Sequence, residues 1–115
     1  MALSVLIVDD HPSFRASARV LLEAEGFDVI GEAADGASGI VEAQRLRPDL
    51  VLLDVQLPDI DGFEVAGQLT NGNGPDIVLV SSRDSSDFGP LVARSGARGF
   101  VPKAELSGAR IHELL

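Results

Sequence analysis

The chain predicts an α/β domain, a doubly wound sheet of five parallel strands with helices on both faces. Three observations carry that expectation. Short apolar runs recur at Val5–Val8, Leu50–Leu53, Ile77–Val80 and Gly99–Val101. They are rich in Val, Ile and Leu and almost unbroken, as strands covered on both faces are. Stretches with helical spacing separate them, and 115 residues leave room for one core but not two.

Taken in order, Leu3–Val8 is the first strand and runs straight into Asp9-Asp10. Phe14, Ala18, Leu21 and Leu22 then share one face of a helix that Pro12 or Ser13 opens and Gly26 closes. Phe27–Ala33 is a second strand. Its Asp28 and Glu32 interrupt the apolar pattern and suit a more exposed position. Ala37, Ile40, Val41 and Gln44 mark the buried face of a second helix between Gly36 and Pro48. The third strand delivers Asp54 to its end, and Phe63, Ala66 and Leu69 mark a shorter third helix. The turn Asn71–Pro75 ends that helix.

The fourth helix, within Ser85–Ser95, contains Gly89-Pro90. Proline is tolerated only in a helix's first turn, so a late start near Pro90 and barely two turns are expected. Leu106, Ala109 and Leu114 define a fifth helix starting at about Ala104. Strands alternating with helices imply right-handed crossovers. In the flavodoxin-like strand order 2-1-3-4-5 a ligand binds where the order reverses, between the first and third strands. Those are the strands that end in Asp9-Asp10 and in Asp54.

Composition narrows the function. Nine Lys and Arg against eighteen Asp and Glu give a net charge of −9, which argues against contact with a phosphate backbone by this domain itself. With no cysteine there is neither a disulfide nor a thiolate site. The apolar start is too short to span a membrane and lacks the positive leader of a signal peptide. A cytoplasmic protein is expected.

Carboxylates at adjoining strand ends set a problem of charge. Two of them about 4 Å apart repel by roughly 4 kcal/mol at an effective dielectric near 20. Lys103, just past the fifth strand, offsets one charge. A divalent cation offsets the rest, and an all-oxygen site with room for water suits Mg²⁺ or Mn²⁺. The expected ligands are Asp10, Asp54 and the main-chain carbonyl of Gln56, with Asp9 held through water. A carboxylate beside such an ion, faced by the Ser81 hydroxyl and the Lys103 ammonium, is suited to accept a phosphoryl group.

Five motifs stand in order: Val8-Asp9-Asp10-His11-Pro12, Leu53–Pro58, Asp61-Gly62, Val80-Ser81-Ser82 and Gly99-Phe100-Val101-Pro102-Lys103. On these the chain resembles, over essentially its full length, the receiver domain of two-component response regulators. The resemblance implies that Asp54 accepts a phosphoryl group from a histidine kinase and that Asp9 and Asp10 form the metal pocket. It implies further that Ser81 and Phe100 act as a switch, with Lys103, onto the face of the fourth helix, fifth strand and fifth helix. That face is where a homodimer is expected. Gln56 and Arg83 match positions that tune the lifetime of the phosphoryl group.

The first and last motifs also resemble regulators with a LuxR-type helix-turn-helix output domain. Residues 1–115 are then expected to be the N-terminal part of a longer transcription regulator, with DNA contacted only through the absent output domain. There are departures. Pro102 precedes Lys103 where the family commonly has lysine before proline, which bears on the lysine's reach. Ser82 stands where alanine is frequent, and Gly89-Pro90 interrupts the fourth helix.

Plainer readings stand beside these. Asp10 and Ser81 can serve as caps, Lys103 as a solvated charge and Phe100 as core. His11 reads as an exposed turn residue, His112 as a polar-face residue without a role, and Asp59 and Asp61 as the turn that starts a helix. Two rival functions follow. A pseudo-receiver would keep the fold as an interaction module without phosphorylation. An aspartyl-nucleophile phosphohydrolase usually has a second acid two residues after the nucleophile, and here Gln56 stands there.

Overall fold

The computed structural model describes residues 2–72, 74–83 and 88–115. Five strands, β1 (Ser4–Val8), β2 (Asp28–Ala33), β3 (Leu50–Asp54), β4 (Asp76–Ser81) and β5 (Gly99–Pro102), form one sheet in the order β2-β1-β3-β4-β5. All four pairings are parallel. Between them run α1 (Pro12–Ala24), α2 (Gly36–Leu46), α3 (Gly62–Leu69) and α4 (Leu91–Arg94), and α5 (Gly108–Leu114) follows β5. This is the doubly wound flavodoxin-like architecture expected. No helix among the described residues is long and apolar enough to cross a membrane.

Strand residues alternate between two cores because successive side chains point to opposite faces. Val5, Ile7, Leu50, Leu52, Val78, Val80 and Val101 pack against Ala18 and Leu22 of α1 and Ile111 of α5. On the other face Leu6, Val8, Val51, Leu53, Ile77 and Leu79 meet Ala43 of α2 and Val65, Ala66 and Leu69 of α3. β1, β3 and β4 are buried throughout their apolar runs, whereas β2 lies at the edge with Asp28 and Glu32 exposed.

Three helices differ from expectation. In α2 the buried stripe is Gly36, Gly39 and Ala43, with Ile40 partly covered, while Ala37 is exposed and Val41 is 58% exposed. The reason is steric. A Cβ at Gly39 would lie 2.8 Å from Val8, so glycine lets α2 approach β1 closely and the apolar Val41 is turned outward. In α4 the late start after Pro90 is found, but the helix has one turn of four residues. Ser95 stops it by donating its hydroxyl to the Val92 carbonyl at 2.6 Å and accepting the Ala97 amide at 3.1 Å. Residues 85–87 of the expected fourth helix, and Asn73 of the expected turn, lie outside the described residues.

At the C-terminal end Lys103–Glu105 form a 3₁₀ turn, and Ser107 caps α5 by accepting the Arg110 amide at 3.1 Å. That cap sets the helix phase so that Ile111 is fully buried and Ala109 exposed, a stripe different from the expected one. The Glu25 carboxylate accepts from the Gly108 amide and ties the end of α1 to the start of α5. His112 stacks on Phe27 with ring centroids 5.1 Å apart, so it has a packing role on its exposed face.

The loop from β3 to α3 is pinned twice. Asp61 caps α3 by accepting the Glu64 amide at 2.9 Å, as expected of a helix-starting residue. Asp59 instead accepts from the amides of Gly36 (2.7 Å) and Ala37 (2.9 Å), capping α2 from a distant part of the chain. The Ala37 and Gly36 amides hold the Asp59 carboxyl below its ordinary value. Its ionised form is thus favoured in the folded state. The resulting stability is present above the ordinary aspartate value near 3.9 and fades as the pH falls from there through the lower folded value. Chemical denaturation between pH 3 and 6 should therefore show a flatter acid limb for Asp59→Asn than for wild type. Parallel limbs would mean the cap contributes nothing.

Candidate functional site

Sheet register assembles the site. Val8 pairs with Leu53 across β1 and β3, so the next residue of each strand, Asp9 and Asp54, reaches the same end of the sheet. On β4 Ser81 pairs with Pro102 of β5, and Lys103 follows directly. Each of the three central strands ends in the same local device. Asp9 Oδ1 accepts the His11 amide at 2.8 Å, Asp54 Oδ1 accepts the Gln56 amide at 3.0 Å, and Ser81 Oγ accepts the Arg83 amide at 3.0 Å. A side-chain oxygen that takes the amide two residues on turns the chain sharply without a β-bridge.

Lys103 closes the constellation. Its Nζ lies 2.7 Å from Asp9 Oδ2 and 3.2 Å from Asp54 Oδ2, and it sits 4.4 Å from the centre of the Phe14 ring. The side chains of Asp9 and Asp54 are 0% and 3% exposed and that of Lys103 15%, so the group is an almost dry ionic cluster. Among the described residues every peptide bond is trans, and Pro102 before the lysine does not prevent its reach. On α1, Arg15 donates to the Asp9 main-chain carbonyl at 2.6 Å and to Glu32 at 3.1 Å, which fastens the Asp9 turn to β2.

Burial pushes the Asp9 carboxyl up, but hydrogen bonds and charge from Lys103, with donation from His11, outweigh it and hold the group below its ordinary value. At Asp54 burial raises the carboxyl and the Asp9 charge adds to it, against the Gln56 amide and Lys103, and the net direction is up. One lysine therefore does not neutralise the pair. Asp10 is half-buried beside them, and its Oδ1 makes no hydrogen bond. An unused acceptor oxygen next to excess negative charge fits a hard divalent cation.

Of the residues singled out in the sequence, Asp9, Asp10, Asp54 and Lys103 converge. Gln56 adjoins Asp54 through its amide. Ser81 is fully buried at the end of the neighbouring strand, with its hydroxyl engaged by its own turn, and Arg83 is exposed. Phe100 lies on the α3–α4 side of the sheet, 5.5 Å from the Phe88 ring, which in turn is 5.5 Å from Phe63. Sequence reasoning missed His11, Phe14 and Arg15. His11 is exposed as expected, yet its Nδ1 stands 3.0 Å from Asp9 and 3.1 Å from Asp10. Its adjacency to two acids at a strand end was the available signal. Phe14 and Arg15 both lie in the first turn of α1, and nothing short of the packing of α1 reveals their contacts.

The charge imbalance has a measurable consequence in chelator-treated protein. Removing the ammonium leaves buried carboxylates unpaired, so Lys103→Met should lose about 3 kcal/mol of stability in urea. Asp54→Asn, which removes the carboxylate pushed toward protonation, should raise the melting temperature. A fall in melting temperature for Asp54→Asn would show that Lys103 compensates both acids fully.

Comparison with known proteins agrees with this geometry. The response regulator receiver domain family matches residues 5–115. The transcription regulator BvgA of Bordetella pertussis is 44% identical over 96% of this chain and 52% of its own length. The DNA-binding transcriptional activator EvgA of Escherichia coli K12 is 33% identical over 90% of this chain and 51% of its own length. The chain thus spans about half the length of these curated relatives. Among solved structures, a LuxR-family two-component response regulator from Aurantimonas is 30% identical, with a TM-score of 0.87 over 99% of this chain and 86% of that one. The family match and the relatives together establish that the chain belongs to the response regulator receiver domains.

Proposed function

We propose that Asp54 accepts a phosphoryl group from a partner histidine kinase and that the modified domain controls transcription through the rest of a longer regulator. The observation that carries this reading is the nearly dry Asp54 carboxylate, held between the Gln56 amide and the Lys103 ammonium beside Asp9 and Asp10. In the reaction a carboxylate oxygen of Asp54 attacks phosphorus in line. The bond from phosphorus to the kinase imidazole breaks, and its electron pair leaves with that nitrogen.

Asp10, Asp54 and the Gln56 carbonyl would hold a Mg²⁺ or Mn²⁺ ion, with Asp9 acting through water. When bound, such an ion stabilises charge on the phosphoryl oxygens. Lys103 places its ammonium where that charge develops, and Phe14 covers the ammonium from the α1 side. Ser81 supplies a hydroxyl once it leaves the Arg83 amide. The domain is a phosphoacceptor, with slow self-dephosphorylation tuned at Gln56 and Arg83, and not a turnover enzyme on a metabolite.

For the switch, we take Ser81 to move toward the phosphoryl group and Phe100 to rotate into the space behind it. Two pre-existing states then change in population, and the face of α4, β5 and α5 offers a dimer surface in one of them. The Phe63–Phe88–Phe100 contacts support this reading, because rotation of Phe100 must break its edge with Phe88.

Two experiments test these statements. Intact mass after incubation with acetyl phosphate should show one added phosphoryl group in wild type with Mg²⁺ and none in Asp54→Asn or with chelator. No adduct in any sample would leave the pseudo-receiver, and steady phosphate release without an adduct would favour the phosphohydrolase. Phe100→Leu should take up phosphate as wild type does but dimerise less on phosphorylation by analytical ultracentrifugation. Undiminished dimerisation would remove the aromatic from the switch.

A further inference from the structure

Lys103 is the only lysine in the chain, so the pocket depends on where this single side chain stands. The backbone fixes little of that. Lys103 opens a 3₁₀ turn directly after β5, and a long flexible stem carries its Nζ. Asp9 Oδ2 holds Nζ at 2.7 Å and Asp54 Oδ2 at 3.2 Å. A further neighbour is uncharged: the centre of the Phe14 ring lies 4.4 Å from Nζ, with the ammonium over the ring.

These contacts differ in when they can act. The carboxylates attract the ammonium only while their own charge is free. Asp9, Asp10 and Asp54 set three carboxylates against one lysine, and a divalent cation shared among them leaves no charge over for it. Two like charges in one pocket then repel. The ring is not used up in this way. Its attraction comes from the negative face of the π-system and leaves the N–H groups of the lysine for oxygen acceptors. It is also firmly seated, because Phe14 packs on the core beneath α1 and the next residue, Arg15, donates to the Asp9 carbonyl at 2.6 Å. With the Lys103 side chain 15% exposed, little water competes for the ammonium.

We propose that Phe14 is a positioning residue: its ring face keeps the Lys103 ammonium over the pocket when the acids are engaged by a cation, and so sets the rate at which Asp54 takes up a phosphoryl group. Its effect on rate presupposes that Asp54 is the phosphoacceptor, and its hold on Lys103 does not. No covalent bond is made or broken at the ring. The ammonium turns an N–H from Asp54 Oδ2 to the phosphoryl oxygens as charge grows on them, and it stays over the ring throughout. Without the ring face the ammonium reaches water in part of the population, and only the remainder reacts at full rate.

Two variants of the full chain separate the ring's face from its volume. Phe14→Leu removes the ring, and trifluorophenylalanine in place of Phe14 keeps its shape while weakening the negative face. Intact mass followed over time with acetyl phosphate and saturating Mg²⁺ should show phosphoryl uptake slowed about tenfold in Phe14→Leu and at least about threefold in the fluorinated protein. A fluorinated protein as fast as wild type would overturn the proposal, since packing alone would then explain the leucine variant. A second readout needs no phosphorylation. With isotope-labelled lysine, NMR shows one set of lysine side-chain signals, and the Phe14 ring should displace those of Lys103 upfield. The displacement should persist in wild type on addition of Mg²⁺ and be absent from Phe14→Leu. Signals that move to the position of a solvated lysine when Mg²⁺ is added would equally overturn the assignment. An adduct at the same rate in all three proteins sinks Phe14 alone, while no adduct in wild type with the displacement intact sinks only the phosphoacceptor.

Discussion

The site depends on one ammonium placed between two buried carboxylates. Strand order forces Asp9 and Asp54 together, because β1 and β3 are neighbours in register and each releases its acid at the same end. Lys103 arrives from β5, across the intervening β4, and its ammonium lies over the Phe14 ring of α1. Three elements distant in sequence thus share one charge. Buried ion pairs of this kind seldom stabilise a fold relative to apolar packing, since desolvation offsets their attraction. The cluster is therefore better explained by what it binds than by what it contributes to folding.

The plain and the sharp readings of the strand ends turn out to be compatible. Asp9, Asp54 and Ser81 each turn their own backbone by accepting the amide two residues on. That use engages a single oxygen. At Asp9 and Asp54 the second carboxylate oxygen remains for Lys103, so a turn residue and a chemical group are the same side chain. The geometry also stiffens the acids, because a rotamer fixed by a short backbone hydrogen bond does not swing away under repulsion. Ser81 has one oxygen only. Any contact with a ligand must be shared with the Arg83 amide or must break it.

Architecture was legible because β1, β3 and β4 are buried on both faces and so read as unbroken Val, Ile and Leu. The strand-end positions of Asp9, Asp54, Ser81 and Lys103 followed from topology alone. What was hidden lies in contacts between elements. Val41 promised a buried face for α2, but glycine at 39 decides how α2 meets Val8, and periodicity counts apolar residues without weighing fit. Asp59 read as a turn residue because its partners, the amides of Gly36 and Ala37, are more than twenty positions earlier. His11 showed as exposed, which is correct, and exposure concealed that one nitrogen faces the acids. Each failure has the same cause: the deciding neighbour is remote in sequence.

The two halves of the sheet differ in how firmly they are held, and this bears on the proposed switch. Helix α1 is fixed to β2 through the Arg15–Glu32–Arg19 ion pairs and to α5 through Glu25. By contrast α4 is a single turn with no buried residue, following Gly89 in the left-handed region. A segment with so little buried contact opens at small cost in free energy. Its nearest anchor is the aromatic chain from Phe63 through Phe88 to Phe100. Movement of Phe100 is thus opposed by a few ring edges rather than by a packed helix. Under the proposed switch, a phosphoryl group with only modest preference for one state is sufficient to shift the population on this side, while the α1 side stays rigid.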